Sequence, residues 1–131
     1  MERQLINPWD WQDEMGYSQA IEISHGERVL YCSGQTSIDA EGNRVHPDDM
    51  RAQIIQALDN IERVLTEANF DLTDVVRLDC YATDVDLCFE HWDVIMDRLA
   101  PVECQPACTL LGVERLAFPE LLIEIEPTAV K

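Results

Sequence analysis

Apolar and polar residues follow two rhythms along this chain: a period of two near both ends, and a period near 3.6 between them. In the last quarter, Cys104 to Val130, two strand-like runs (Cys108–Val113 and Leu121–Ala129) flank a break at Ala117–Glu120. Ile123 and Ile125 alternate there with Glu124 and Glu126, which gives one apolar face and one face bearing two carboxylates. A short strand is expected over Arg3–Ile6. Gln19–Ser24 alternates around Ile21 and Ile23, and a turn at His25-Gly26-Glu27 leads into Arg28–Cys32, so the pair reads as a β-hairpin. Gly34, after its second strand, marks a sharp turn or a place that must leave room for a neighbour.

The 3.6 rhythm is clearest after Pro47-Asp48-Asp49, whose carboxylates suit a helix N-terminus. Met50, Ile54, Ile55, Leu58, Ile61, Val64, Leu65 and Ala68 form a stripe that ends near Asn69. Val75–Ala82 reads as a strand with Val76, Leu78, Cys80 and Ala82 on one face. Thr83-Asp84 caps a second helix over Val85–Leu99, which Pro101 stops. Six strands and two one-faced helices predict an α+β fold, a two-layer sandwich with a mixed sheet of about six strands and both helices on one face. The other sheet face is left bare, which favours an oligomer over a monomer. Trp9 and Trp11 are expected to cap the core, with lining a site as the alternative.

With 131 residues and 47% hydrophobic content, residues 1–131 are expected to form a single domain. Nine Lys and Arg against 26 Asp and Glu give a formal charge of −17. That surface repels phosphate backbones and anionic bilayers, so neither nucleic acid nor membrane is an expected partner. No apolar run approaches the roughly 20 residues of a spanning helix, and Met1–Leu5 opens no signal-type stretch, so the expected location is cytoplasmic. Five cysteines (Cys32, Cys80, Cys88, Cys104 and Cys108) suit a reducing compartment. Cys104 and Cys108 have an unusual spacing for zinc and no second Cys/His pair follows, so no metal is expected.

Several stretches together resemble the RidA/YjgF family of small trimeric proteins. They are Tyr17-Ser18-Gln19-Ala20, Tyr31-Cys32-Ser33-Gly34-Gln35 with Asp39 and Gly42, Gln53 to Asn60, and Asp74-Val75-Val76 leading to Tyr81-Ala82-Thr83-Asp84. Pro106-Ala107, Val113-Glu114-Arg115-Leu116 and Ile123-Glu124-Ile125-Glu126 complete the match in order along nearly the whole chain. The resemblance implies a chorismate-mutase-like fold and a homotrimer with small-molecule pockets in the clefts between subunits. Active members hydrolyse enamines and imines such as 2-aminoacrylate, without metal or organic cofactor. By the same resemblance Tyr17 closes the pocket, Ser33 and Gly34 line it, and Glu124 orients the attacking water. Trp92 falls near a pocket Asn of deaminating members.

Cys108 stands where those members carry an Arg that clamps the substrate carboxylate. A thiol cannot replace that bidentate, charge-assisted fork. Arg77 and Arg115 are the cations expected to substitute if either reaches the cleft. Cys108 is expected opposite Glu124, whose charge would raise the thiol pKa and leave it a neutral wall residue; a nucleophilic role needs a neighbouring cation, a helix N-terminus or a His. The expected functions are a hydrolase of enamines or imines other than 2-aminoacrylate, or a non-catalytic metabolite-binding trimer. Ribonuclease activity, a label some members carry, conflicts with the charge of −17 and with the lack of a His pair.

Overall fold

The computed structural model describes residues 1–131. Its strands are β1 (Glu2–Ile6), β2 (Ala20–Ser24), β3 (Val29–Tyr31), β4 (Val75–Ala82), β5 (Ala107–Gly112) and β6 (Ile123–Val130). Its helices are α1 (Met50–Glu67), α2 (Val85–Glu90) and α3 (Trp92–Leu99). The α+β class and the helices on one face match the expectation. The six strands, however, divide into a four-stranded sheet ordered β3-β6-β4-β5 and a separate β1-β2 pair.

The expected hairpin between Gln19–Ser24 and Arg28–Cys32 does not form. β2 pairs antiparallel with β1, while β3 pairs antiparallel with β6. The amides of Glu27 and Arg28 donate to the Lys131 carbonyl, so the segment after His25 is captured by the end of β6 and not by β2. β5 joins β4 in parallel, and the α2-α3 segment supplies the crossover that a parallel pair requires.

Helix α1 starts where the Asp49 carboxylate accepts a 3.0 Å hydrogen bond from the Ala52 amide. It buries Met50, Ile54, Ala57, Leu58, Ile61 and Leu65 against the sheet. The second helix is two. Asp84 caps α2 through the Leu87 amide, but His91 leaves helical geometry at φ −117°, and α3 restarts at Trp92. A register irregularity in β4 between Val75 and Arg77 changes which residue faces the core: Val75, not Val76, is buried with Leu78, Cys80 and Ala82.

Gln53 ties α1 to the chain leading into β6. It is fully buried, donates to the carbonyls of His46 (3.1 Å) and Glu120 (2.8 Å), and accepts from the Leu122 amide (2.8 Å). Gln53→Leu orphans three backbone groups, each costing about 1–3 kcal/mol when left unsatisfied in the interior. Urea unfolding is therefore expected to show a loss of at least about 3 kcal/mol; a loss below 1 kcal/mol would show that this triple bridge is dispensable.

The face away from the helices carries Arg77, Asp79 and Tyr81 of β4, Thr109 and Leu111 of β5, and Glu124 and Glu126 of β6. No element of the chain covers it: Leu111 is 51% and Tyr31 81% exposed. The expected bare face is thus present.

Candidate functional site

Glu124 sits on β6 opposite Tyr81, its side chain on the uncovered face and half-buried. Gln35 and Ile125 exchange backbone hydrogen bonds, and this draws the Ser33–Gly34 segment alongside β6. A Cβ built on Gly34 would lie 2.6 Å from Cγ and Cδ of Glu124 and closer still to Oε1. Gly34 is therefore glycine because the Glu124 carboxylate crosses it. Desolvation, and then the neighbouring Glu126, hold the Glu124 carboxyl above its ordinary pKa. Ser33 is exposed beside this arrangement.

Cys108 lies elsewhere. On β5 it pairs with Leu78, and residues paired across strands share a face. Leu78 is core, so Cys108 faces the helix layer while Glu124 faces away from it. β4 also intervenes between β5 and β6, so the two residues are not neighbours and the expected Cys108–Glu124 opposition does not occur within one chain. The Cys108 pKa is correspondingly lowered, not raised. The dominant cause is a hydrogen bond from the Cys80 thiol, two residues along β4 on the same face, with burial and Asp79 opposing it and Arg77 assisting. Cys80 is pushed up by the same hydrogen bond and by full burial.

Around Cys108 the fold gathers Met15, Tyr17, Phe89, Trp92 and Leu110 into a pocket of about 160 Å³. Ser18 bridges to Ala107, and its amide donates to the Pro106 carbonyl at 3.0 Å, which places Tyr17 beside β5. The break at His91 turns the indole of Trp92 toward this loop, where its N–H donates to the Met15 carbonyl at 3.0 Å. The six candidate residues thus fall into two groups. Tyr17, Trp92 and Cys108 line the pocket on the helix side; Ser33, Gly34 and Glu124 gather on the opposite face.

Met15, Phe89 and Leu110 also line the pocket and escape sequence reasoning, as does the partner thiol Cys80. Leu110 and Cys80 could have been found from strand alternation with Cys108 once the β4–β5 pairing was known. Trp9 and Trp11 do not cap the core. They are 59% and 57% exposed, stack at 6.4 Å between centroids, and Trp11 meets the edge of Tyr17 at 6.3 Å. Within one chain, neither candidate replacement for the missing Arg reaches the pocket. Arg77 is held by Asp79 (2.9 Å) and Thr109 (2.8 Å) on the uncovered face, and Arg115 bonds the Leu116 and Ala117 carbonyls. A larger hollow of about 550 Å³ runs along Gly34–Ala40 and α1, but of the six candidates it touches only Gly34. Its Asn60 amide is already committed to the carbonyls of Thr36 and Ile38.

Residues 11–131 match the family described as Endoribonuclease L-PSP. The chain belongs to this family, the Rid/YjgF family. A RutC family protein from Aquifex aeolicus is 31% identical over 115 residues, covering 88% of each chain. The crystal structure of YyfB, a Rid family protein from Yersinia pestis, superposes over 100% of both chains with a TM-score of 0.84 at 34% identity. The bovine protein named 2-iminobutanoate/2-iminopropanoate deaminase is 33% identical over 70 residues, 53% of this chain and 49% of its own. In this Rid chain the position after the Pro106-Ala107 pair presents a thiol to an apolar pocket, and no Lys or Arg lines that pocket.

Proposed function

We propose that this Rid-family chain assembles as a homotrimer and hydrolyses imines or enamines of small metabolites in clefts shared between subunits. The observation that carries the proposal is the division of the six candidate residues onto opposite faces of one sheet. One chain cannot aim both groups into one cleft. Two copies can, if the uncovered face of one packs near the helix-side pocket of the next. The bovine deaminase's name supports imine chemistry, and the label of the family does not lead to ribonuclease activity here, because a charge of −17 opposes a polyphosphate substrate.

In the reaction, a water held by the Glu124 carboxylate attacks the C=N carbon, and Glu124 accepts the water proton as the C–O bond forms. Glu124 passes that proton to the nitrogen, which completes the carbinolamine. It then takes the hydroxyl proton and delivers it to the same nitrogen as the C–N bond breaks, so the hydroxyl oxygen becomes the carbonyl and ammonia leaves. The raised pKa of Glu124 suits a group that must both take and give a proton. Neither metal nor organic cofactor enters these steps. Because Cys108 occupies the clamp position, 2-aminoacrylate is not the expected substrate.

The test generates imines in situ with an amino-acid or amine oxidase and follows their decay by wild type. Acceleration over buffer is expected for imines without a carboxylate. No acceleration of any imine, with a trimer in solution, would favour the second reading, a non-catalytic metabolite-binding trimer; the absence of any cation in the Cys108 pocket is the observation behind it. Gly34→Ala supplies a further check. The added methyl displaces the flexible Glu124 side chain and not the backbone, so kcat is expected to fall at least about tenfold, since misplacement by about 1 Å can cost 10²-fold. The melting temperature should barely move. Unchanged kcat would remove Glu124 from the reaction.

A further inference from the structure

The pocket around Cys108 is closed to charge but well shaped for one kind of group. Its lining is Met15, Tyr17, Phe89, Trp92, Cys108 and Leu110, and its volume is about 160 Å³. An apolar cavity of about 150 Å³ holds one benzene ring. Phe89 and Trp92 form two aromatic walls, with centroids 6.1 Å apart and planes tilted by 54°, and Tyr17 supplies a third. Such rings favour a flat partner through stacked and edge-on contacts. The Trp92 N–H is already spent on the Met15 carbonyl, so the polar groups left to a ligand are the Tyr17 hydroxyl and the Cys108 thiol. No cation of the same chain lines it to offset a carboxylate, and the protein's charge of −17 repels anions before they arrive.

We infer that this pocket is a subsite for an uncharged, single-ring aromatic group, so that the substrate class is aromatic amine-derived imines in place of small imino acids. The inference rests on the reading that the Cys108 pocket forms one side of the shared cleft. The ring lies in the pocket against Phe89, Trp92 and Tyr17, and the C=N group projects past Cys108 toward the cleft mouth. Cys108 reports on occupancy: it is the one cysteine that is not buried, the other four being 9% exposed or less.

Alkylation of the intact protein by iodoacetamide, followed by peptide mass mapping, should therefore label Cys108 first. Benzyl alcohol is expected to slow that labelling at least about fivefold at saturation, whereas phenylacetate at equal concentration leaves it unchanged. Leu110→Trp, which fills the pocket, should abolish the protection. Should that variant fold poorly, ligand-observed NMR of benzyl alcohol on wild type, with and without full Cys108 alkylation, replaces it; loss of binding on alkylation is the expected result. No protection up to the solubility of benzyl alcohol, or equal protection by phenylacetate, overturns the inference. Protection by benzyl alcohol with no imine hydrolysed supports this subsite and counts against the catalytic reading alone. Hydrolysis of aliphatic imines without ring protection does the reverse.

Discussion

Glu124→Gln is expected to lower kcat for the proposed imine hydrolysis by about 10²–10⁴-fold, the usual contribution of a positioned general acid–base, while leaving KM within a few-fold. The amide keeps the shape that crosses Gly34 but cannot accept the water proton. Wild-type activity should rise with pH through the pKa of the Glu124 carboxyl, so its acid limb lies above the ordinary carboxylate range because burial, and then Glu126, disfavour the charge. The same shift has a stability consequence of definite sign. A carboxyl whose folded pKa is raised supplies stability below its unfolded value, and that stability is lost as pH rises through the folded value. Glu124→Gln is thus expected to gain in melting temperature relative to wild type as pH rises from about 4 to about 7. A variant as active as wild type, or one whose stability relative to wild type falls with rising pH, would refute the placement of a desolvated carboxylate at the reacting centre.

Cys108→Arg is expected to move the preference toward carboxylate-bearing imines. A guanidinium can offer two charge-assisted hydrogen bonds of about 1.5–3 kcal/mol each. Offset by the desolvation of the new charge, this should still lower KM for 2-imino acids by about 10–10³-fold. The surrounding Tyr17, Phe89 and Trp92 rings can accept a cation on their faces, so the site tolerates the change better than an aliphatic pocket would. Activity on ring-bearing neutral imines should fall in step, because the arginine occupies the ring's place. Steady-state kinetics with both substrate types checks this. A folded Cys108→Arg protein with no gain on imino acids would mean that the thiol side of the pocket does not contact substrate.

How much of this was legible depends on which elements decide it. Helix α1 was, because its stripe is long and its cap at Asp49 is local. So was the alternation of β6, where Ile123 and Ile125 are fully buried and Glu124 and Glu126 are not. The break at His91 was not, since apolar residues on both sides fit one continuous stripe. Strand partnership was the larger loss. The His25-Gly26-Glu27 turn has hairpin chemistry, yet β3 bonds to the end of the chain. Two consecutive strands, β5 and β6, look like neighbours in sequence, yet β4 lies between them.

That last misreading mattered most for the site. Placing Cys108 opposite Glu124 gave the thiol a raised pKa and a role as a passive wall. The observed sheet order turns it to the helix side, beside Cys80 and among aromatic rings. The six candidate residues came from the family pattern, but their division between two faces required the fold. Gly34 is the counterexample: a glycine that had to leave room for something does leave room, for the carboxylate of Glu124.

A subunit-mixing experiment tests the shared cleft most directly. Glu124→Gln and Leu110→Trp each disable one side, so each homotrimer should be inactive toward aromatic imines. Unfolded and reassembled together in equal amounts, they should recover about a quarter of wild-type activity, the share of clefts that join two intact sides under random assembly of a cyclic trimer. A mixture that stays as inactive as its parents, although it reassembles into trimers containing both chains, would contradict a cleft built from two subunits.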